Sequence, residues 1–106
     1  MTAQTTLVPI LDMVSHDVFG ETRWTGRAVL AGVMRAEVLV LRYKGGLVAV
    51  RNRCPHRDIP ILMGRLDEAE GIFECPSHGL QMPIEGPDLR GRPVVERDGA
   101  LYLVVD

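Results

Sequence analysis

The 106-residue sequence has few aromatic residues and no excess of basic charge, and both shortages argue against nucleic-acid binding. Aromatic side chains make up 5% of the residues, with one Trp, two Tyr and two Phe. Proteins that bind single-stranded nucleic acid stack the bases on such side chains. The formal net charge is −2, whereas binding to phosphate backbones depends on a concentration of positive charge. No nucleic-acid partner is therefore expected.

The sequence also lacks a long apolar run and a secretory signal. No stretch of about 18 apolar residues occurs, so no membrane-spanning helix is predicted. The opening residues have no positively charged segment, and Pro9 and Asp12 interrupt their apolar part, which is unlike a signal peptide. A cytoplasmic protein with no membrane partner is expected. The length fits one domain, residues 1–106, and we expect a monomer.

Cysteine is scarce as well. The sequence contains only Cys54 and Cys75, and two cysteines cannot build the disulfide framework of a small secreted protein. They could form one disulfide bridge, or they could be a pair of metal ligands.

Short apolar segments separated by turn residues are what the sequence does contain. Lys44-Gly45-Gly46 and Asp98-Gly99 are typical of tight hairpin turns. Residues 10–18 fit either an amphipathic helical turn or an irregular strand. Elsewhere helical periodicity is scarce, so an all-β domain is predicted. The predicted strands that flank the turns or precede a cysteine are residues 37–43, 47–51, 72–74, 94–97 and 100–105.

The chemistry-bearing residues lie in two short segments. Cys54-Pro55-His56 is followed, after eighteen residues, by Cys75-Pro76-Ser77-His78. Each segment offers one thiolate and one imidazole, a donor set that suits zinc or an iron–sulfur cluster. The proline after each cysteine stiffens its loop, and Gly79 would let the backbone approach a cluster closely. Because each pair is mixed, the spacing matches a centre in which two His replace two Cys on one iron, the Rieske centre.

The sequence CPHRDIPILMG followed by CPSHG resembles the Rieske [2Fe–2S] motif, and the likeness extends from Glu37 to the C-terminus. The resemblance implies an antiparallel β-sandwich with a small cluster-binding subdomain, at approximately residues 52–87, formed by two loops. It also implies that Cys54 and Cys75 bind the buried iron of a Rieske-type [2Fe–2S] cluster. His56 and His78 would bind the outer iron.

The resemblance further distinguishes branches of the family. Quinol-oxidising Rieske proteins carry a second cysteine in each loop, where this sequence has Ile59 and Ser77. They also have hydroxyl donors to the cluster where this sequence has Leu80 and Met82. Fewer donors stabilise the reduced cluster less, so a low-potential, soluble Rieske ferredoxin is expected.

The resemblance implies an electron carrier rather than an enzyme. A flavin-containing ferredoxin reductase would supply single electrons, and a terminal oxygenase, such as a ring-hydroxylating dioxygenase or a related monooxygenase, would accept them. Once the cluster takes two histidines, only His16 remains, which cannot build the mononuclear iron site of an oxygenase. No glycine-rich phosphate loop for flavin or nicotinamide is present. Ile59, Pro60 and Met82 are the candidates for exposed apolar contacts with a partner.

Alternatives remain open at this point. The same four ligands could hold zinc in a β-module that serves interactions, or the chain could be a fixed Rieske subunit of a larger oxidoreductase. His16 is expected to be an ordinary surface or packing residue. Four arginines near the first loop form either a solvated rim or a docking surface for an acidic partner, and three acidic residues form a solvated hairpin tip. These residues are Arg51, Arg53, Arg57 and Arg65, and Asp67, Glu68 and Glu70.

Overall fold

The computed structural model of the protein describes residues 6–30, 34–54, 59–77 and 79–105. Within these ranges the chain is all β, as predicted, and no described segment forms a helix able to cross a membrane. The described residues form ten strands: β1 (Thr6–Pro9), β2 (Leu11–Val18), β3 (Glu21–Leu30), β4 (Met34–Tyr43), β5 (Gly46–Arg51), β6 (Arg65–Asp67), β7 (Ile72–Glu74), β8 (Gln81–Pro83), β9 (Arg92–Arg97) and β10 (Ala100–Val105).

The strands form two antiparallel sheets. The large sheet has seven strands in the order β1-β10-β9-β5-β4-β3-β2. The small sheet has three strands in the order β6-β7-β8, and in the chain it lies between β5 and β9. This arrangement confirms the all-β, antiparallel fold expected from the sequence.

Among the turns that the structure describes, three hairpins of the large sheet turn through two residues with positive φ, which is typical of type I′ turns. Lys44-Gly45 joins β4 to β5 with φ values of 50° and 80°, and Asp98-Gly99 joins β9 to β10 with values of 53° and 81°. Both turns were predicted, although Gly46 belongs to β5 and pairs with Tyr43. The third turn, Phe19-Gly20, was not predicted, because a bulky aromatic residue rarely adopts positive φ.

Residues 10–18 form the irregular strand that the sequence left as one of two possibilities. The register between β2 and β3 shifts between Leu11 and Val14, and Asp12 has a φ of 55°. The bulge explains why the apolar residues of this segment do not alternate regularly.

The large sheet curls until its two edges converge. β1 and β2 are the edge strands, yet only Ile10 separates them in the chain. The backbone N–H of Ile10 donates to the carbonyl of Leu101 at 3.1 Å. Gly26 permits the close approach, since a Cβ there would lie 2.6 Å from Cγ2 of Ile10. The curled sheet encloses one buried core of Ile10, Ala28, Val38, Val40, Ala49, Val94 and Leu103.

A second core lies between the two sheets. Successive side chains of a strand point to opposite faces, so Leu39 and Leu41 of β4 face this core while Val38 and Val40 face the other. Phe73 of β7 and Met82 of β8 enter it from the small sheet. Two of its members, Cys54 and Cys75, are the cysteines singled out in the sequence.

Candidate metal centre

The first cysteine follows the end of β5. The backbone N–H of Asn52 donates to the carbonyl of Glu37 at 3.0 Å, which ties the chain to β4. The buried side chain of Asn52 accepts a hydrogen bond from the N–H of Ile61 at 3.0 Å. Cys54, with 0% exposure, donates its N–H to the carbonyl of Ile59 at 2.8 Å. Asn52 therefore joins both ends of the loop that the cysteine begins.

The second cysteine follows β7 and repeats the same arrangement. Cys75, with 1% exposure, donates its N–H to the carbonyl of Leu80 at 2.8 Å. In both loops the acceptor lies five positions after the cysteine. The N–H of Gly79 returns to the carbonyl of Cys75 at 3.0 Å. The two loops are thus closed by matching backbone hydrogen bonds, each of which keeps a cysteine at its base.

The two cysteines are buried in the same core between the sheets. They are thiols and do not form the single disulfide that the sequence left open. The other predicted ligands, His56 and His78, lie outside the described residues, as do Arg57 and Asp58. Among the side chains the structure does describe, no three metal-binding groups converge. The four-ligand set therefore stays a prediction, and of its members the structure describes only the two cysteines.

The sequence did not predict that a hydroxyl group lies near the second cysteine. Oγ of Ser77 lies 3.5 Å from Sγ of Cys75, within hydrogen-bonding distance for sulfur. The resemblance to the Rieske family pointed instead to Leu80 and Met82 as the positions of the donors. For the position two residues after the cysteine, the resemblance indicated only that a second cysteine is missing, although a serine there is close enough to reach the sulfur.

Glycines shape the base of both loops for different reasons. A Cβ at Gly64 would lie 2.3 Å from the carbonyl oxygen of Glu74 and 2.4 Å from the Phe73 ring. Gly64 therefore lets the segment after the first loop pack directly on β7. Gly79 has a φ of 72°, and a Cβ there would meet no atom of the described residues within 4 Å. Its positive φ favours glycine, and the close approach to a cluster that the sequence suggests for Gly79 stays a prediction.

A buried arginine links the large sheet to the first loop. Arg23 of β3 is 2% exposed, and its Nη1 donates to the carbonyls of Leu62 at 2.6 Å and Gly64 at 2.7 Å. Its guanidinium carbon lies 5.4 Å from the centroid of the Phe73 ring. Burial lowers the pKa of Arg23, and the carboxylate of Glu21 opposes that shift. The sequence contained no pattern that distinguished this arginine from the others.

The apolar surface near the loops differs from the prediction. The prediction that Met82 is an exposed contact residue is wrong, because its side chain is 0% exposed in the core between the sheets. Ile59 is half-buried and Pro60 is exposed. The large apolar side chains that are exposed here are Phe19, at 58%, and Met63, at 56%. Both line a shallow cavity of about 420 Å³ that also includes Cys75 and Ser77 among its walls.

The charged residues around the loops are mostly where the sequence suggested. Arg51, Arg53 and Arg65 are exposed, and the guanidinium of Arg65 lies 4.9 Å from the centroid of the Phe19 ring. Asp67, Glu68 and Glu70 are exposed at the β6–β7 turn, as expected for a hairpin tip. His16 is half-buried, and its Nε2 lies 2.9 Å from Oγ1 of Thr25, as befits a packing residue.

Comparison with protein families identifies the domain. Residues 12–97 match the model of the Rieske [2Fe–2S] domain. The chain belongs to the Rieske [2Fe–2S] family. The domain implies a Rieske-type [2Fe–2S] cluster, which needs two thiolates and two imidazoles. The buried thiols of this Rieske domain, held at the bases of two matching loops, fit the thiolate half of that requirement.

Two named ferredoxin components are similar to part of this Rieske domain. The ferredoxin component of the alkene monooxygenase system of Xanthobacter autotrophicus is 32% identical over 63 residues, which cover 59% of this chain and 51% of that protein. The 3-phenylpropionate/cinnamic acid dioxygenase ferredoxin subunit of Photorhabdus laumondii is 32% identical over 79 residues, which cover 65% of this chain and 73% of that protein. The aligned region thus spans about half of the first relative.

Proposed function

We propose that this chain is a Rieske ferredoxin that carries single electrons from a flavin-containing ferredoxin reductase to a terminal oxygenase. The observation that carries the proposal is the placement of Cys54 and Cys75, both buried, at the bases of two loops with the same closing hydrogen bond. The family match to a Rieske [2Fe–2S] domain supports it. So do the two relatives, which are named as ferredoxin parts of oxygenase systems.

The ligand assignment is part of the proposal. Cys54 and Cys75 would bind the inner iron, and His56 and His78 would bind the outer iron. The cluster, when bound, supplies one-electron redox chemistry. The chain's own residues hold it: the loop hydrogen bonds fix the cysteines, and the core around them excludes water from their sulfur atoms. A dry site strengthens the effect of nearby charges and hydrogen bonds on the potential.

The one histidine that is not a proposed cluster ligand supports an electron carrier without catalytic activity. His16, the third histidine, is engaged with Thr25 and lies on β2 of the large sheet. An oxygenase iron would need two histidines and a carboxylate besides the cluster ligands. In line with the expectations from the sequence, we also propose a single, monomeric, cytoplasmic domain whose cluster-binding subdomain spans about residues 52–87. The encounter with each partner would be small and short-lived, as is usual for redox proteins.

The test is a visible absorption spectrum of anaerobically purified protein before and after dithionite, with iron and sulfide assays. The proposal requires visible bands that bleach on reduction and about two irons and two sulfides per chain. A colourless protein with one bound zinc would contradict it and favour the zinc-held interaction module.

A second measurement tests the histidines. His56→Cys and His78→Cys should retain iron, because thiolate also binds iron, but should lower the reduction potential, because a thiolate adds negative charge. A redox titration unchanged from wild type in both variants would contradict the assignment. Electron delivery to a purified oxygenase, with reductase present, would then establish the direction of transfer.

A further inference from the structure

Arg23 is a charged residue in a place where an apolar one would be easier to accommodate. Its side chain leaves β3 and is buried between the large sheet and the segment that follows the first ligand loop. Burying a guanidinium removes its water, and the hydrogen bonds formed often do no more than balance that loss. Apolar side chains of similar volume frequently serve equally well as purely structural links. The charge of Arg23 therefore needs a reason beyond packing.

The contacts of the guanidinium are incomplete. Nη1 donates to two carbonyls, those of Leu62 and Gly64. Nε is buried and has no hydrogen-bond partner among the described residues. The rings of Phe19 and Phe73 lie 5.9 Å and 5.4 Å from the guanidinium carbon, and each presents a π face to it. In the described part of the chain no carboxylate forms an ion pair with Arg23, and the charge of Glu21 acts on it only from a greater distance. The positive charge is therefore only partly neutralised.

The guanidinium of Arg23 lies beside the hydrophobic core that contains both cysteines. Phe73, which lies under the guanidinium, belongs to the same core as Cys54 and Cys75. Gly64, whose carbonyl binds Arg23, packs on Phe73 and on the backbone of Glu74, immediately before Cys75. Charges act over longer distances where water is excluded. Reduction of a cluster held by these cysteines would add one negative charge, which the fixed positive charge of Arg23 would stabilise.

We propose that Arg23 is a positioning residue for the redox centre: it fixes the first ligand loop to the large sheet, and its buried charge raises the reduction potential. The inference rests on the proposed function, since it requires a redox-active cluster. It adds a residue of β3, outside both ligand loops, to the determinants of the potential.

The experiment compares Arg23→Met, Arg23→Gln and Arg23→Lys in the cluster-containing protein. The control is Arg42→Met, because Arg42 is exposed on β4, with its guanidinium carbon 5.8 Å from the centroid of the Trp24 ring. Spectroelectrochemical titration gives the potential, electron paramagnetic resonance reports the electronic state of the reduced cluster, and loss of visible absorbance in chelator gives cluster retention. The neutral variant Arg23→Gln keeps the test available if Arg23→Met does not fold.

Removing the charge should lower the ratio of reduced to oxidised protein about tenfold at a fixed potential, which is about 59 mV for one electron. Arg23→Lys should keep the potential close to wild type but lose the cluster faster, because an ammonium cannot reproduce the guanidinium geometry. Arg42→Met should change neither. A wild-type potential in both neutral variants, or an equal fall in Arg23→Lys, would overturn the inference. A wild-type protein without a redox-active cluster would instead overturn the proposed function.

Discussion

The hydroxyl oxygen of Ser77 lies 3.5 Å from the sulfur of Cys75, so a hydrogen-bond donor accompanies one of the two proposed thiolate ligands. Once the sulfur binds iron as a thiolate it can only accept, and the serine hydroxyl becomes the donor. Hydrogen bonds to cluster sulfur atoms stabilise the reduced state and raise the potential. The Ser77 hydroxyl partly compensates for the hydroxyl donors that are missing at Leu80 and Met82.

Ser77→Ala should therefore lower the reduction potential. A net hydrogen-bond contribution of about 0.5–1.5 kcal/mol corresponds to roughly 20–65 mV for one electron. We expect the lower end, because Ser77 is exposed and its hydroxyl also hydrogen-bonds to solvent, which weakens its bond to the sulfur. Protein-film voltammetry measures the change. Ser15→Ala, which removes an exposed serine from β2, should leave the potential unchanged, and an equal shift in that control would rule out a local effect.

Replacing either buried cysteine should abolish cluster binding. Cys54→Ala and Cys75→Ala each remove one thiolate, and a [2Fe–2S] cluster held by three ligands is not expected to survive purification. Visible absorbance and the iron and sulfide contents measure the amount of bound cluster. Val50→Ala is the matched control, because Val50 belongs to the same core but offers no ligand. Full cluster content in either cysteine variant would show that the sulfur atom is not a ligand.

Gly64→Ala should destabilise the protein strongly. The added Cβ would lie 2.3 Å from a carbonyl oxygen and 2.4 Å from an aromatic ring, both belonging to β7. Overpacking of this kind costs about 1–3 kcal/mol or more, measurable as a lower free energy of unfolding in urea. Gly46→Ala should be close to neutral, because its Cβ would enter open space. Equal effects of the two substitutions would contradict the tight contact.

Asn52→Ala should loosen the first ligand loop. The side chain of Asn52 accepts the N–H of Ile61, and its removal leaves that buried donor unsatisfied, at a cost of about 1–3 kcal/mol. The unfolding free energy should fall by this amount, and the cluster should be lost faster to a chelator. Gln81→Ala, which truncates an exposed amide of β8, is the control. Cluster loss as slow as in wild type would show that the loop does not depend on Asn52.

Local patterns predicted the elements that local physics controls. The Asp98-Gly99 turn and the strands around it followed from residues that accept positive φ and from β-branched neighbours. The Phe19-Gly20 turn did not, because its first residue is one that such turns rarely contain. Both cysteine loops were also predicted from local sequence, because the motif of each loop lies within three or four consecutive residues.

The parts of the site that were missed depend on contacts between distant residues. Arg23 binds carbonyls 39 and 41 positions further along the chain, and no spacing rule connects them. Met82 was expected at the surface, but in the three-residue strand β8 it is buried between exposed Gln81 and Pro83. One alternation is too short to show which face of a strand is covered. Only the packing of the small sheet on the large one decides it.

The convergence of β1 and β2 at Ile10 also limits how the protein can associate. An open sheet edge offers unpaired backbone groups to which a strand of another molecule can add. Here the two edge strands of the large sheet approach one another, and the N–H of Ile10 is already bonded to Leu101. Strand addition is disfavoured at this closure, which protects the protein against self-association there. At this side of the large sheet, contact with another protein is therefore limited to side chains and cannot use an added strand.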